Sequence, residues 1–399
     1  MTFRKKLLTV LSGLIFLGFG VQSISTAQTG GPVAKAWLAT SFAFDAQGTL
    51  WLVGIDRSGA LFTQTSATNG RTWSSARVID VGERVSADGE NRPKIAFGPG
   101  GAIVITYTRP GERPYSGDIR LTRSEDHGMT FSKPKTVQDD KQPITHRFES
   151  IMFDKAGNLH VVWIDKRDAE LTRSLGGGKD AYAGAGIYRK VSSDAGATFG
   201  PDIKVADHSC ECCRIALSPV DEGVAALWRH IFDGHIRDHA FFQWARNTEA
   251  RQPAPTLVRA TYDDWMLKAC PHHGPGLAPA QDGGFHAVWY GVRDGQAAVR
   301  YGRLSALGSP EGKALVIPDA RAEHADVLSW GQRVAIVWRS FDGVQSSVRA
   351  LVSDDGGGTF SERWVFRSSE PNDHPRVFQR GGEFFVGWRT ESGVHVTAL

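Results

Sequence analysis

The sequence lacks the features that would connect the chain to nucleic acid, a nucleotide or a membrane. It has 46 basic and 43 acidic residues, and three of the basic ones, Arg4, Lys5 and Lys6, fall in an N-terminal stretch that we expect to be removed. The remaining chain is nearly neutral, so there is no electrostatic case for binding nucleic acid or an anionic membrane surface. No phosphate-binding loop, H-E-x-x-H or G-x-S-x-G pattern occurs, and we expect no nucleotide cofactor.

Residues 1–27 have the pattern of a secretory signal. A basic start precedes an apolar run from Leu7 to Val21, and Ser25-Thr-Ala27 offers a small-residue cleavage site before Gln28. The run is too short for a typical membrane span, although an uncleaved anchor is the alternative. We therefore expect a mature domain of residues 28–399 in the periplasm or outside the cell, with no membrane contact.

A short phrase, S-x-D-x-G-x-T-F, recurs along the chain. Intact copies occupy residues 124–131, 192–199 and 353–360, and a weaker copy at 66–73 has Thr68 in the Asp position. In such a turn Asp accepts bonds from its own backbone, Gly supplies a positive φ and the aromatic residue fixes the turn on a sheet. The phrase resembles the Asp box, or bacterial neuraminidase repeat, of sialidase-like β-propellers. The resemblance implies an all-β propeller with the boxes on outer turns, away from the axis.

Seven hairpins give a more regular pattern than the boxes. Each has a short apolar strand, a Gly- or Asp-containing turn and a second apolar strand that ends near Trp. The first strands end at Phe44, Phe97, Phe153, Leu217, Leu277, Leu328 and Phe378. Spacings of about 50 to 64 residues suit one four-stranded blade each. Seven blades are therefore predicted, with six as the alternative, and Gly31 to Lys35 is expected to supply the last outer strand.

Alignment of the repeats predicts a cluster of polar side chains on the propeller axis. The residues four places before each strand end are Thr40, Pro93, Glu149, Cys213, His273, His324 and His374. Because the innermost strands surround the central channel, we expect the last five to line one mouth of it. The tryptophans of the second strands are expected in the core between blades; they are Trp163, Trp228, Trp289, Trp338 and Trp388.

The chain has four cysteines, in the segments Cys210-Glu-Cys212-Cys213 and Cys270-Pro-His272-His273. In an oxidising compartment a disulfide is one outcome, with Cys210–Cys270 the best pair. The other is a metal site, since thiolates and imidazoles suit copper or zinc better than calcium or magnesium. The predicted metal ligands are Cys210, Cys212, Cys213, Cys270, His272, His273, His324 and His374. Alternation of side chains along a strand predicts that Cys212 and Cys213 do not both face the channel.

These cysteine segments, with Asp264-Trp265 and residues 235–238, resemble those of exported neuraminidase-repeat proteins commonly labelled exo-alpha-sialidases. That resemblance implies a glycoside hydrolase with three arginines on a substrate carboxylate, a Tyr nucleophile assisted by Glu, and an Asp acid. The matching candidates here are Arg229, Arg339, Arg389, Tyr290 with Glu149, and Asp165. The early Arg-Ile-Pro motif of sialidases is missing, and Asn91-Arg92-Pro93 is only a faint echo of it.

Three hypotheses follow. The favoured one is a propeller with a Cys/His-rich site for a metal ion or small ligand at one mouth of its channel. The alternatives are a sialidase-type glycoside hydrolase and a non-catalytic scaffold that binds a partner. The propeller fold is common to all three, so fold alone does not choose between them.

Overall fold

The computed structural model describes residues 35–178, 180–244 and 257–399. The predicted signal segment lies outside the described residues, as do residues 31–34 of the segment expected to close the ring. Within the described ranges, no helix is long and apolar enough to cross a membrane.

The strands form seven antiparallel sheets, which we number as blades 1 to 7 in chain order. Consecutive strands are neighbours in each sheet, so each blade is a simple meander running from the axis outwards. Blade 1 comprises Thr40–Phe44, Leu50–Ile55, Leu61–Ser66 and Arg77–Val78. Blade 2 comprises Lys94–Phe97, Ile103–Pro110, Gly117–Ser124 and Lys135–Thr136. Blade 3 comprises His146–Phe153, Leu159–Asp165, Ala185–Ser192 and Ile203–Ser209.

Blades 4 to 6 also have four strands each, and blade 7 shows three among the described residues. Blade 4 comprises Ala216–Pro219, Val224–Arg229, His239–Trp244 and Val258–Arg259, and blade 5 comprises Gly276–Pro279, Phe285–Arg293, Gln296–Leu304 and Pro310–Val316. Blade 6 comprises Ala322–Trp330, Arg333–Phe341, Ser346–Ser353 and Ser361–Ser368. Blade 7 comprises Arg376–Arg380, Glu383–Thr390 and Gly393–Ala398. The described α-helix, Arg167–Ser174, is an insertion in blade 3, and short 3-10 turns cover Ala36–Leu38, Pro99–Gly101 and Asp233–His235.

The blades close into one ring. Each innermost strand contacts the innermost strand of the next blade, and that of blade 7 contacts that of blade 1. Phe42 of blade 1 stacks on Phe378 of blade 7, with ring centroids 5.3 Å apart. The seven-bladed prediction is confirmed, and the six-bladed alternative is wrong.

The core is divided among the interfaces between blades. Seven apolar clusters fill seven interfaces, including the one between blades 7 and 1. The five tryptophans predicted for these interfaces are all buried. Burial of large aromatic side chains on both faces of each sheet stabilises the stack of blades.

The recurring turns join the third strand of a blade to its fourth, as expected for outer turns. In the first intact copy, Ser124 Oγ donates to Asp126 at 2.7 Å and the Thr130 amide donates to the same carboxylate at 2.8 Å. The copies around Asp194 and Asp355 repeat both bonds. These bonds hold the pKa of Asp194 and Asp355 at about 2; for Asp194, they outweigh a burial effect that acts in the opposite direction.

The glycine of each turn contacts the preceding blade closely. A Cβ on Gly128 would lie 2.4 Å from Trp51 of blade 1, and one on Gly357 would lie 2.0 Å from Tyr301 of blade 5. Both glycines also have positive φ. The glycine therefore serves two purposes, because it completes the turn and lets the turn approach its neighbouring blade.

Candidate metal centre

Three cysteines lie together in the turn that leads from blade 3 into blade 4. This turn follows the strand Ile203–Ser209 and precedes the strand Ala216–Pro219. The Cys210 amide donates to the Arg229 carbonyl oxygen at 2.9 Å, which fixes one end of the turn to blade 4. Because residues 211–213 form a turn rather than a strand, side chains of adjacent residues can point to the same side.

The three sulfur atoms form a compact triangle. Cys210 Sγ lies 3.6 Å from Cys212 Sγ and 3.8 Å from Cys213 Sγ, and the last two are 3.9 Å apart. All three side chains are buried. Strand alternation, on which the expected separation of Cys212 and Cys213 from a common face rested, does not apply in the turn, and both sulfurs join one cluster. All four cysteines lie within the described residues, and none forms a disulfide, including the expected pair Cys210–Cys270.

Cys270, an exposed residue of the loop that enters blade 5, lies near this triangle. Its thiol interacts with those of Cys210 and Cys212, and the interaction with Cys210 raises the pKa of Cys270 to about 11. Hydrogen bonds from Cys212 and then Cys213 lower the pKa of Cys210 well below its ordinary value. One member of the cluster is therefore predisposed to be a thiolate, and its neighbours act as donors to it.

Three histidines form a stacked row at the entry to blades 5, 6 and 7. The ring centroids of His273 and His324 are 4.4 Å apart, and those of His324 and His374 are 3.5 Å apart. Tyr290 extends the row by stacking on His273 at 4.1 Å. Burial lowers the pKa of all three histidines well below the ordinary value. The rings are therefore neutral, the form that binds metals.

Backbone conformation determines which histidines join the row. His272 and His324 both have positive φ, at 54° and 51°. The turn at His272 leaves that side chain exposed while its neighbour His273 enters the row. His324 lies in a bulge of the strand Ala322–Trp330, where the pairing register shifts. Bulges commonly redirect one side chain next to a functional site.

Glu90 lies beneath the row and was absent from the predicted site. Its Oε1 is 3.4 Å from His324 Nδ1 and 3.5 Å from His374 Nδ1. Its Oε2 accepts the amides of Gly274 at 2.9 Å and Arg214 at 3.1 Å. Burial acts to raise the pKa of Glu90, but the Arg214 guanidinium, 2.9 Å away, and the two imidazoles hold it well below the usual range.

Two glycines make room for this arrangement. A Cβ on Gly89 would lie 2.3 Å from His374 Cε1, and a Cβ on Gly274 would lie 2.6 Å from Glu90 Oε2. Neither position tolerates a side chain without movement of the site. The His-Gly-Pro sequence after Cys270 therefore has a structural explanation, since its glycine supplies both the amide donor and the space for the carboxylate.

A cavity of about 200 Å³ continues from Glu90 along the axis and is lined by residues of all seven blades. Four cationic side chains reach it, from Arg92, Lys94, Arg214 and Arg376. Burial, and then the nearby Arg92 and Arg214, lower the pKa of Arg376 to about 9. Its Nη1 atom lies 3.7 Å from the carboxylate of Asp326. The cavity therefore combines four cationic side chains with apolar lining residues, and Glu90, the carboxylate that faces the histidines, also lines it.

Glu149 does not join the histidines. It is fully buried and lies 3.5 Å from Lys94, a lining residue of the cavity. Its neighbour Phe148 has positive φ, in a strand whose register also shifts. The equal offsets thus bring residues of five blades to the axial region, but they divide into a sulfur cluster, a histidine row and a buried Glu–Lys pair.

The three predicted arginines are committed to separate contacts between blades. Arg229 donates to the carbonyl oxygens of His273 and Tyr290 in blade 5. Arg339 pairs with Glu323 at 2.7 Å and also donates to Asn372, whereas Arg389 donates to Thr40 and Ile55 of blade 1. Each arginine lies in the second strand of its blade and ties that blade to the next. None of these bonds forms a shared clamp for a carboxylate.

The other predicted catalytic groups also have structural partners. Asp165 is fully buried and accepts bonds from Trp163 and Arg167. Burial raises the pKa of Tyr290, and the nearby acid with the largest influence on that pKa is Glu323 rather than Glu149. Glu323 is itself paired with Arg339.

The comparisons with known proteins show the fold. No family model and no curated protein matches the chain. A solved ulvan lyase, described as a new family of polysaccharide lyase, has a TM-score of 0.59 and 12% identity, with 93% of each chain covered. An α-L-arabinanase from Penicillium chrysogenum has a TM-score of 0.51 and 14% identity, with 91% of this chain and 92% of that chain covered. A Hadza microbial sialidase has a TM-score of 0.47 and 15% identity, over 77% and 64%. At such identities the likeness to the lyase and the arabinanase shows a shared propeller architecture and no activity.

Proposed function

We propose that the protein binds a thiophilic metal ion, zinc or copper(I), through Cys210, Cys212, Cys213 and Cys270. The observation that supports this most is the spacing of three buried free thiols, 3.6, 3.8 and 3.9 Å apart. Tetrahedral zinc with sulfur bonds of about 2.3 Å places its sulfurs about 3.8 Å apart. The cluster therefore has the dimensions of a thiolate metal site before any ion enters.

The position of the cluster favours metal binding to the folded chain. The turn before blade 4 supplies three thiols and the loop before blade 5 supplies the fourth, so an ion would link two segments that are distant in sequence. Ligands brought together only by folding make metal binding stabilise the native state. An exported protein in the periplasm or outside the cell, as residues 1–27 predict, could store, deliver or be stabilised by such an ion.

Metal titration with thiol counting tests this proposal. Reduced protein should bind about one equivalent of zinc or copper(I) and lose its reactivity toward a thiol reagent as the ion binds. Chelation should restore four reactive thiols after unfolding. The proposal would be wrong if reduced protein binds neither ion, or if protein from its native compartment contains the four cysteines as disulfides.

The second candidate function is carbohydrate hydrolysis or cleavage. It is supported by the shared propeller fold of the lyase and arabinanase structures and by the position of Tyr290 near Glu323. For the sialidase version we predict no appreciable release of sialic acid, because the three candidate arginines are occupied by bonds between blades. Hydrolysis of a fluorogenic sialoside that is abolished by Tyr290→Phe would reverse this ranking. A non-catalytic scaffold would show neither hydrolysis nor metal binding.

A further inference from the structure

We infer that the chain has a second metal site of a different kind, in which Glu90, His324 and His374 bind a divalent cation such as zinc, cobalt(II) or iron(II). The sulfur cluster offers only soft ligands, whereas this group offers two imidazoles and a carboxylate. Two histidines and one carboxylate are the ligand set of many metal centres that keep an open position. The inference does not depend on the sulfur cluster binding an ion.

The distances among the three ligands fit a shared cation. Glu90 Oε1 lies 3.4 Å from His324 Nδ1 and 3.5 Å from His374 Nδ1. A cation with bonds of about 2.1 Å to nitrogen and oxygen places tetrahedral ligands about 3.4 Å apart. The ligand atoms of all three residues lie within 4.8 Å of one another. The rings of His324 and His374 are stacked, with an interplanar angle of 11°, so rotation of these two side chains is needed to point both nitrogens at one ion.

The ring nitrogens that face Glu90 lack other partners. Both Nδ1 atoms are buried, and neither makes a hydrogen bond of normal geometry with a described residue. A buried polar atom without a partner usually costs about 1–3 kcal/mol, so its retention calls for an explanation. A cation between these atoms and Glu90 Oε1 would satisfy both nitrogens together.

The carboxylate is held in place by the surrounding chain. Its other oxygen, Oε2, accepts two backbone amides, and Arg214 donates to Oε1. Asp88 accepts the amides of Glu90 and Asn91 at 2.9 and 2.8 Å, which fixes the loop before blade 2. Hydrogen-bond partners of this kind orient the ligands of known metal centres.

The site borders the axial cavity, because Glu90 lines it. An ion bound there would have three protein ligands, and water or a small ligand could complete its coordination, as in metal centres that keep an open position. This distinguishes the site from the buried thiol triangle.

Cobalt(II) titration tests the inference with a spectroscopic signature. The full-length reduced protein is first given one equivalent of zinc, and cobalt(II) is then added alone. Wild type should bind about one cobalt with visible absorption but without the sulfur charge-transfer bands of a thiolate site. His374→Ala and Glu90→Gln should each bind it about ten-fold more weakly or worse, a loss of roughly 1.4 kcal/mol or more. His127→Ala, at an exposed histidine of the recurring turn in blade 2, is the control and should bind it as wild type does.

The same experiment separates failure of this site from failure of the thiol site. If cobalt binds only with sulfur charge-transfer bands, or if folded His374→Ala and Glu90→Gln both retain wild-type affinity, the second site does not exist. Near-ultraviolet circular dichroism of each variant confirms that it is folded. Should Glu90→Gln unfold, His324→Ala replaces it, and undiminished binding by that variant and His374→Ala again overturns the inference. Zinc uptake without any cobalt uptake also overturns it, while leaving the thiol site intact.

Discussion

At the scale of single residues, local backbone geometry decides which side chains reach the site. The sequence places Cys212 and Cys213 next to each other, and strand alternation would separate them, but both occupy a turn and both contribute sulfur to the triangle. Among the neighbouring histidines, the positive φ of His272 leaves His273 in the row. Repeat alignment predicted the blades that supply the site, and it could not predict these turns and bulges.

Glu90 shows why one principal residue escaped the sequence analysis. It lies in the loop before the first strand of blade 2, three residues ahead of Pro93, so a fixed offset from the strand end misses it. Its role depends on contacts with Arg214, Gly274 and two histidines from four other blades. The sequence feature that could have pointed to it is the pair Gly89-Glu90, a glycine and an acidic residue in the loop that leads into the innermost strand of blade 2.

Substitution of one thiol should weaken metal binding without unfolding the chain. Cys213→Ser replaces a buried sulfur by a smaller polar atom, so we expect zinc or copper(I) affinity to fall by at least about ten-fold, or roughly 1.4 kcal/mol. Isothermal titration of reduced protein measures the change. His127→Ala, at an exposed histidine of an outer turn, is the control, and equal losses in both variants would contradict the assignment.

At the scale of elements, the recurring turn connects two strands within one blade and also packs against a side chain of the preceding blade. We call this packing contact the interlock. The turn's Ser–Asp–Thr bonds could be predicted from the phrase S-x-D-x-G-x-T-F, and so could its outer location. The contact between the turn's glycine and the preceding blade could not be predicted from the phrase, because that contact depends on the angle between neighbouring sheets. The weaker copy at 66–73 follows the same geometry, since a Cβ on Gly70 would lie 2.4 Å from Val396 of blade 7.

Gly128→Ala should therefore destabilise the fold more than Gly100→Ala. Both residues have positive φ, at 80° and 68°, so both substitutions incur a backbone cost of about 1–2 kcal/mol. Only Gly128 faces a large side chain, the Trp51 ring, whereas a Cβ on Gly100 meets no atom within 4 Å. Overpacking should add about 1–3 kcal/mol to the loss of unfolding free energy. Chemical denaturation of the two variants measures the difference, and equal midpoints would contradict the interlock.

At the scale of the whole molecule, charged contacts close the ring in addition to the apolar core. Arg92, at the entry to blade 2, forms a buried ion pair of 2.7 Å with Asp373, at the entry to blade 7. Asp373 also accepts the amide of Thr40 in blade 1 at 3.0 Å. One carboxylate therefore connects the three blades at the point where the chain ends meet. The seven hairpins predicted a closed ring, but nothing in their pattern specified this pair.

Asp373→Asn should destabilise the propeller by about 3–5 kcal/mol, because it leaves the buried Arg92 charge without its partner. The exposed pair Lys35–Glu391, 2.8 Å apart near the same closure, provides the control. Glu391→Gln should cost less than about 1 kcal/mol. Urea unfolding monitored by tryptophan fluorescence gives both values. A loss of the same small size in both variants would show that the buried pair does not secure the ring.

The buried histidines should make the metal-free fold sensitive to acid. Burial lowers the pKa of His230 and His286 from 6.5 to about 4. The unfolded chain therefore takes up these protons first, so their contribution to stability is complete above pH 6.5 and declines as the pH falls toward 4. His286→Gln should reduce the slope of unfolding free energy against pH by up to about 1.4 kcal/mol per unit between pH 6 and 5. A wild-type slope in His286→Gln would refute the pKa assignment.

The most direct test of the central claim is X-ray absorption at the metal edge, on protein purified from its native compartment without chelators. A thiolate site predicts about one zinc or copper per chain with sulfur neighbours, at about 2.3 Å for zinc. An additional nitrogen and oxygen shell would come from the site at Glu90. Metal-free protein with its four cysteines oxidised, or bound metal with no sulfur neighbour, would contradict the proposal that Cys210, Cys212, Cys213 and Cys270 form a metal centre.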